Sequence, residues 1–423
     1  MGGAPGNRRA DSALFFSKHS VDYCPTFKEE KVMNKRASFV CMFSCKRRLP
    51  GGYYALIGIV ASATLVCAGL WDSAPSSIAQ KPVSDEVAAK KALLALGFFI
   101  KGEPVTEISR GETQAVGDDS LVYVKCFPSL LRLELVYTPE ITNAGLVHIK
   151  DLTELRELSV YGDRLITDAG MIHLRKLVKL RRLDLSGTKV GNDGLSHLRG
   201  LSQLESLLLA RTEIGDEGMN HINQLGNLKE LDLGQTSVTD RGAEQLRALA
   251  KLESLFINDT AIGDKGMKYL KEMKVLRTLW PPKSISDEGL KDISNLESLE
   301  RLELESASIT DKGVASLKGL RRLEMLTLLH ASISGAGLRE LSALKEIRSL
   351  NLSGSKIIDE NIVFLGGFTK LEVLDISDTK ITDKALVHLR KLTQLKELYC
   401  RNTDISSTGV TSIKDALPML RIH

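Results

Sequence analysis

From Leu130 onward, apolar residues recur along this chain with two alternating spacings. Each copy of the pattern opens with LxxLxL, in which apolar and polar positions alternate as in a strand. It continues with apolar residues three and four apart, as in a short helix. The copies begin at Leu130, Leu155, Leu180, Leu204, Leu228, Leu252, Leu276, Leu299, Leu323, Ile347, Leu371 and Leu395. Twelve copies spaced by 23 to 25 residues predict a solenoid, because each copy buries its apolar face only against its neighbours.

Hydroxyl side chains stand at two fixed places in the copies. A Thr or Ser followed by an acid, as in Thr167-Asp168 and Thr310-Asp311, precedes the predicted helices, where a hydroxyl caps the N-terminus and an acid is favourable in the first turn. The second column follows the strand and contains Thr188, Thr212, Thr236, Thr260, Thr379 and Thr403. We expect these buried hydroxyls to satisfy backbone groups left free where strand becomes loop.

These repeats, LxxLxLxxT followed by ITDxGLxxLxxL over residues 130–412, resemble the leucine-rich repeat family. They are most similar to its bacterial members and to the cysteine-containing, ribonuclease-inhibitor-like class. The resemblance implies an α/β solenoid of about 12 repeats: a horseshoe with a parallel concave β-sheet and convex α-helices. It also implies capped ends. We expect an N-terminal cap over residues 84–129 and a C-terminal cap strand over residues 413–423, which leave no residues for a catalytic module.

Within the N-terminal cap, Ser84 to Leu96 is predicted as a helix with Ser84 at its N-cap, and Ser120 to Lys125 as a lead-in strand.

One segment is long and apolar enough to cross a bilayer. No charge occurs between Arg48 and Asp72, and residues 53–70 are apolar or small throughout. We therefore predict a transmembrane or signal-anchor helix over residues 51–71 and a linker over residues 72–83, so that one transmembrane helix precedes the solenoid.

Charge predicts the orientation of this helix. Residues 1–50 carry ten Lys and Arg against four acids, and the remaining 47 basic and 49 acidic side chains lie after them. The positive-inside rule makes this basic, disordered tail cytoplasmic and exports the repeats to the periplasm or cell surface. Cleavage near Ala79 would give a secreted protein instead, and Met33 is an alternative start to Met1. Nucleic-acid binding is not expected, because the folded part carries no excess of basic charge.

No catalytic or metal-binding motif occurs among the repeats. The sequence contains no Walker loop, nucleophile elbow, HExxH or dinucleotide fingerprint. Four histidines share one helix column: His148, His173, His197 and His221. Helices about 8–10 Å apart would bring such imidazoles poorly onto one ion, so we predict no metal, no cofactor and no enzyme activity. Cys126 and Cys400 lie at opposite ends of the stack and are not expected to pair.

The informative positions are those between the core residues of each strand, because they point to the concave face. This row runs Glu134, Ser159, Asp184, Leu208, Asp232, Phe256, Trp280, Glu303, Thr327, Asn351, Asp375, Tyr399. A central apolar patch ringed by carboxylates is predicted, and aromatic anchors with a polar rim are typical of interaction sites. The predicted ligand-binding residues are Leu208, Phe256, Trp280, Met325, Leu329, Tyr399, Asp184, Asp232 and Glu303.

The seventh copy departs from the pattern. Trp280-Pro281-Pro282-Lys283 replaces its strand end, and proline cannot donate to a strand ladder. We expect the sheet to bulge or open beside Trp280.

Together these features predict a membrane-anchored scaffold whose concave sheet binds a protein or peptide, with basic side chains favoured by the acids. Three alternatives remain open. The ITDxGL repeats also resemble F-box leucine-rich repeat receptors of ubiquitin ligases. The groove carboxylates could serve a hydrolase, and the solenoid could be a passive spacer, for which exposed Phe256 and Trp280 would be a liability.

Overall fold

The structure is a computed structural model that describes residues 85–110, 116–306 and 308–423. The predicted tail, membrane segment and linker, residues 1–83, lie outside the described residues and stay predictions. In the part of the chain that is described, no helix has the length and apolar character needed to cross a membrane.

A single fifteen-stranded sheet runs through the described residues in sequence order. The first two strands are antiparallel, and every later strand is parallel to its neighbours. The strands are β1 (Phe98–Lys101), β2 (Glu107–Arg110), β3 (Arg132–Glu134), β4 (Glu157–Ser159), β5 (Arg182–Asp184), β6 (Ser206–Leu208), β7 (Glu230–Asp232), β8 (Ser254–Phe256), β9 (Thr278–Trp280), β10 (Arg301–Glu305), β11 (Met325–Leu329), β12 (Ser349–Asn351), β13 (Val373–Asp375), β14 (Glu397–Tyr399) and β15 (Arg421–Ile422).

Short helices connect the strands. The α-helices are α1 (Glu86–Ala95), α2 (Asp118–Leu121), α3 (Asp168–Met171), α4 (Asn192–Leu195), α5 (Asp216–Ile222), α6 (Asp240–Ala243), α7 (Asp264–Met267), α8 (Asp287–Ile293), α9 (Asp311–Val314), α10 (Gly335–Leu341), α11 (Leu386–Leu389) and α12 (Ser407–Ala416). The 3₁₀ helices span Val124–Cys126, Gly145–His148, Ile172–Leu174, Ser196–Leu198, Glu244–Ala248, Ala315–Gly319, Asp359–Gly367 and Asp383–Ala385.

The core lies between sheet and helices. In each copy the leucines of LxxLxL point inward, as Leu180, Leu183 and Leu185 do with no exposed surface, while the residue between the last two stays half-buried on the other side. We call that other side the open face; it is the predicted concave face. The predicted solenoid of parallel strands and helices is confirmed, because the alternation assigns each strand residue to one of the two faces.

The capping segments differ from prediction in detail. Helix α1 begins at Glu86, and its N-cap is Asp85, whose carboxylate accepts a 2.9 Å hydrogen bond from the Val87 N–H. The predicted strand from Ser120 to Lys125 is wrong, because this segment is helical and the lead-in strands are β1 and β2. Its buried residues Leu121, Val124 and Phe127 are three apart, which is a helical spacing.

At the C-terminal end, α12 extends past residue 413, and the closing strand is only β15.

The acid at each helix start binds the next copy. Asp264 in α7 accepts hydrogen bonds from the backbone N–H of Ser286 (2.8 Å), the Ser286 hydroxyl (2.6 Å) and the backbone N–H of Gly289 (3.1 Å). The bond from the Glu288 N–H to the Ser286 hydroxyl, which caps its own helix, is longer at 3.3 Å. Thr239, Thr310 and Thr382 donate to the acid of the preceding copy in the same way, whereas Thr167 accepts a 2.8 Å hydrogen bond from the Asn143 amide.

The second hydroxyl column has the predicted role. The hydroxyls of Thr188, Thr212 and Thr236 each donate to the backbone carbonyl three residues earlier, all at 2.6 Å. Thr260, Thr379 and Thr403 make the same bond, which confirms the predicted role for the six threonines of this column.

Candidate functional site

The predicted open-face residues form one row in the register of the sheet. Asp184 is the direct strand partner of Leu208, Leu208 of Asp232, Asp232 of Phe256, and Phe256 of Trp280. Neighbours in such a row are one strand spacing apart, about 4.8 Å. The pattern of the sequence therefore places these side chains side by side on the same face.

The apolar residues of this row and of the two rows beside it gather around the middle of the sheet. Phe256 and Trp280 are adjacent, and Met325 and Leu329 lie on β11, two strands beyond Trp280. All four side chains are half-buried rather than fully exposed. We call Phe256, Trp280, Met325 and Leu329 the central patch.

Of the two remaining apolar or aromatic site residues, Leu208 lies at the edge of the central patch and Tyr399 lies apart from it. Leu208 is separated from Phe256 by Asp232 on β7. Tyr399 lies on β14, where its ring stacks on His423 with centroids 4.5 Å apart and its hydroxyl donates to Glu397 at 3.0 Å. The structure does not bring Tyr399 together with the patch, because its side chain packs against the C-terminal residue.

Several acids and amides of the row shape the turns that follow the strands. Asp184 accepts a 3.0 Å hydrogen bond from the Ser186 N–H, and Asp232 accepts one of 2.8 Å from the Gly234 N–H. Asp375 does the same with Ser377. Asp and Asn side chains commonly bond the backbone two residues on. This local role accounts for these carboxylates, so hydrolysis is not needed to explain them. An acid two residues before a Ser or Gly is the sequence signal for such a turn.

Glu303 is different. Among the described residues, no hydrogen bond or ion pair reaches its carboxylate. The register partner of Glu303 on β11 is Thr327, and because Leu302 pairs with Leu279, the next residue of β9 in register order is Trp280. Burial raises the pKa of Glu303, and the nearby charge of Arg301 only partly opposes this shift. Of the three predicted acids, Glu303 is the one without a structural hydrogen bond that explains it.

The strand ladder is interrupted beside Glu303. In neighbouring copies a backbone N–H donates to the next copy, as Ile257 does to the Trp280 carbonyl at 2.9 Å. Pro281 has no N–H, so the matching bond to the Glu303 carbonyl cannot form. Strands β9 and β10 share two register pairs, whereas β10 and β11 share five. The ladder between β9 and β10 is therefore one pair shorter than the three pairs that most neighbouring strands share, and the predicted bulge or opening stays a prediction.

Lys283 lies next to this shortened ladder and forms ion pairs with both neighbouring copies. Its ammonium group lies 3.4 Å from Asp259 in the preceding copy and 3.1 Å from Glu305 in the following one. The side chain thus links the two copies on either side of the interrupted ladder.

The histidine column carries no shared ion site. Arg199 donates to His221 at 3.0 Å, and burial lowers the pKa of His148, His173 and His221. Within the described ranges, no group of three or more His, Cys, Asp or Glu side chains is arranged to hold a metal ion. Cys126 and Cys400, both described, form no disulfide.

Comparisons with known proteins agree with this architecture. The family described as "Leucine-rich repeat region" matches residues 165–360, and "Leucine Rich repeat" matches residues 369–389. Among curated proteins, no sequence matches significantly. The chain is a leucine-rich repeat protein; its assignment to the cysteine-containing class stays a prediction.

One of the solved structures that match this chain has a TM-score above 0.5 and supports the fold. An internalin from Listeria monocytogenes is 21% identical with a TM-score of 0.59, and the match covers 82% of this chain and 98% of the internalin. A leucine-rich repeat protein of Leptospira interrogans is 17% identical with a TM-score of 0.42, over 81% and 100% of the two chains. Identities this low show the likeness of fold alone.

Proposed function

We propose that this protein is an exported, membrane-anchored scaffold whose open face binds a protein or peptide through the central patch. The observation that carries the proposal is the grouping of Phe256, Trp280, Met325 and Leu329 on adjacent and near-adjacent strands. Clustered aromatic and long apolar side chains supply most of the energy of typical interfaces.

The strands before the patch offer a partner fewer unpaired charges than the patch does. Their charges neutralise one another across the strands: Lys101 lies 3.3 Å from Glu107, Arg132 lies 3.5 Å from Glu157, and Arg182 lies 2.8 Å from Glu230. Breaking such pairs to make new ones gains little free energy. Compared with those strands, the patch therefore has more to gain from being covered.

A parallel sheet backed by a continuous core also favours recognition. The surface is formed by short strands whose inward residues are completely buried, as Leu255, Leu279 and Leu302 are. Little conformational freedom is lost when a partner binds such a preorganised surface.

Export rests on the charge-free segment of residues 49–71, which the basic tail precedes. A phosphatase that is active only outside the cytoplasm, fused after His423, tests this part of the proposal. We expect an active phosphatase in the membrane fraction. Activity only in the medium would indicate cleavage near Ala79, and an inactive fusion with an intact repeat region would contradict export.

Binding is tested by capturing partners from a native envelope extract with the full chain and with a Phe256→Ala, Trp280→Ala variant. We expect the double variant to lose at least about tenfold in affinity for the captured partner, because both anchors are removed. The matched control is Val178→Ala, Val275→Ala, which removes two side chains that are 46% and 44% exposed and belong to neither the row nor the patch. Equal retention by all three proteins would contradict the site.

A further inference from the structure

Two strands carry the same pair of charged residues in the same two register rows, but with different partners. On β3, the Arg132 guanidinium donates to the Glu134 carboxylate, with Nε at 3.1 Å from Oε1. On β10, Arg301 and Glu303 have the same spacing, yet within the described chain neither forms an ion pair or a side-chain hydrogen bond. The protein thus contains both a paired and an unpaired version of the same two charged residues.

The surroundings of β10 explain why its charges matter. Glu303 is half-buried next to Trp280 in register order, and its carboxylate is partly desolvated while no protein donor bonds to it. Arg301 is exposed and lies between Thr278 on β9 and Met325 on β11. Opposite charges, each without an ion-pair partner in the described residues, therefore stand inside the central patch.

An aromatic ring next to a carboxylate that has no ion-pair partner in the described residues is a favourable environment for an organic cation. The indole face attracts a cation through its quadrupole, and the carboxylate supplies charge-assisted hydrogen bonds. A lysine or arginine side chain also has an apolar stem that can cover the neighbouring rings. Arg301 would repel a purely basic segment and favours one with an acid close to the base.

We propose that the partner of the central patch is a polypeptide segment with a Lys or Arg side chain that lies on Trp280 and pairs with Glu303, and with a nearby acid that faces Arg301. This rests on the proposed function and specifies its ligand. The cation determines specificity at Glu303, and the patch supplies the apolar contact around it.

A random twelve-residue peptide library displayed on phage tests the proposal, selected on the full 423-residue chain in detergent. Selected peptides are then measured against wild type, Glu303→Gln, Glu134→Gln and the Phe256→Ala, Trp280→Ala variant. Glu134 is the matched control, because it occupies the same row about 34 Å away, seven strand spacings along the sheet.

We expect peptides that contain Lys or Arg with Asp or Glu nearby and lose about tenfold or more in affinity on Glu303→Gln, but not on Glu134→Gln. Peptides that bind the patch, as the double alanine variant shows, yet lack a basic residue or ignore Glu303→Gln would overturn this inference and leave the proposed function intact. A selection that yields no peptide sensitive to the double variant would count against the proposed function itself.

Discussion

Replacing Asp264 by alanine is expected to lower the free energy of unfolding by about 2–4 kcal/mol, because three donors lose one partly buried acceptor. Those donors are the Ser286 N–H, the Ser286 hydroxyl and the Gly289 N–H, at 2.8, 2.6 and 3.1 Å. The loss falls at the seventh copy, whose strand ladder Pro281 already interrupts. Chemical denaturation followed by circular dichroism measures the change.

Lys265→Ala is the control for this substitution, because Lys265 is the exposed next residue of the same helix. Its effect should stay within about 0.5 kcal/mol. Equal effects of the two substitutions would show that the carboxylate between copies contributes no stability beyond that of an ordinary surface residue.

Acidification is expected to stabilise the N-terminal repeats through Asp163. This side chain is completely buried and accepts hydrogen bonds from the Thr138 N–H and hydroxyl, both at 2.6 Å. Burial raises the pKa of Asp163 to about 7, against the opposing effects of Thr138 and Arg110. The folded protein therefore binds a proton that the unfolded chain releases above about pH 4.

The direction of the pH dependence of stability follows from this difference in proton binding between the folded and unfolded protein. The stabilisation is fully present below the unfolded pKa and is lost as the pH rises to about 7. Between pH 8 and pH 5 the free energy of unfolding should rise by about 2–3 kcal/mol on this account. Asp163→Asn, which has no proton to bind, should remove that part of the pH dependence in urea titrations, and an unchanged slope would contradict the role of Asp163.

The repeats were predictable because their pattern is dense and periodic. Each LxxLxL places its three leucines inward, and the residue between the last two lies on the open face, so the register row from Glu134 to Tyr399 follows from the sequence. The hairpin of β1 and β2 lies before the first copy, where the short apolar run Phe98-Phe99-Ile100 fits strand and helix equally well. The segment from Ser120 to Lys125 was assigned wrongly for the same reason.

The sequence predicted which residues of the candidate site lie next to one another, but not which hydrogen bonds and ring contacts they form. The alternation placed Phe256 beside Trp280, yet it contains no information on which carboxylates bond the backbone. Asp184 and Asp232 bond the turn two residues on, whereas Glu303 has no such bond. Tyr399 packs on His423 instead of joining the patch. These differences depend on side-chain geometry between copies, which hydrophobic periodicity does not encode.

The most direct test of the open face as the binding surface is photo-crosslinking from one position on each side of the molecule. A photoreactive amino acid replaces Thr327, which lies on the open face between Met325 and Leu329, or Lys268, which is exposed at the end of α7 on the helix side. After incubation with the envelope extract, we expect a discrete adduct from position 327 and none from position 268. An adduct only from position 268 would place recognition on the helices and contradict the proposed site.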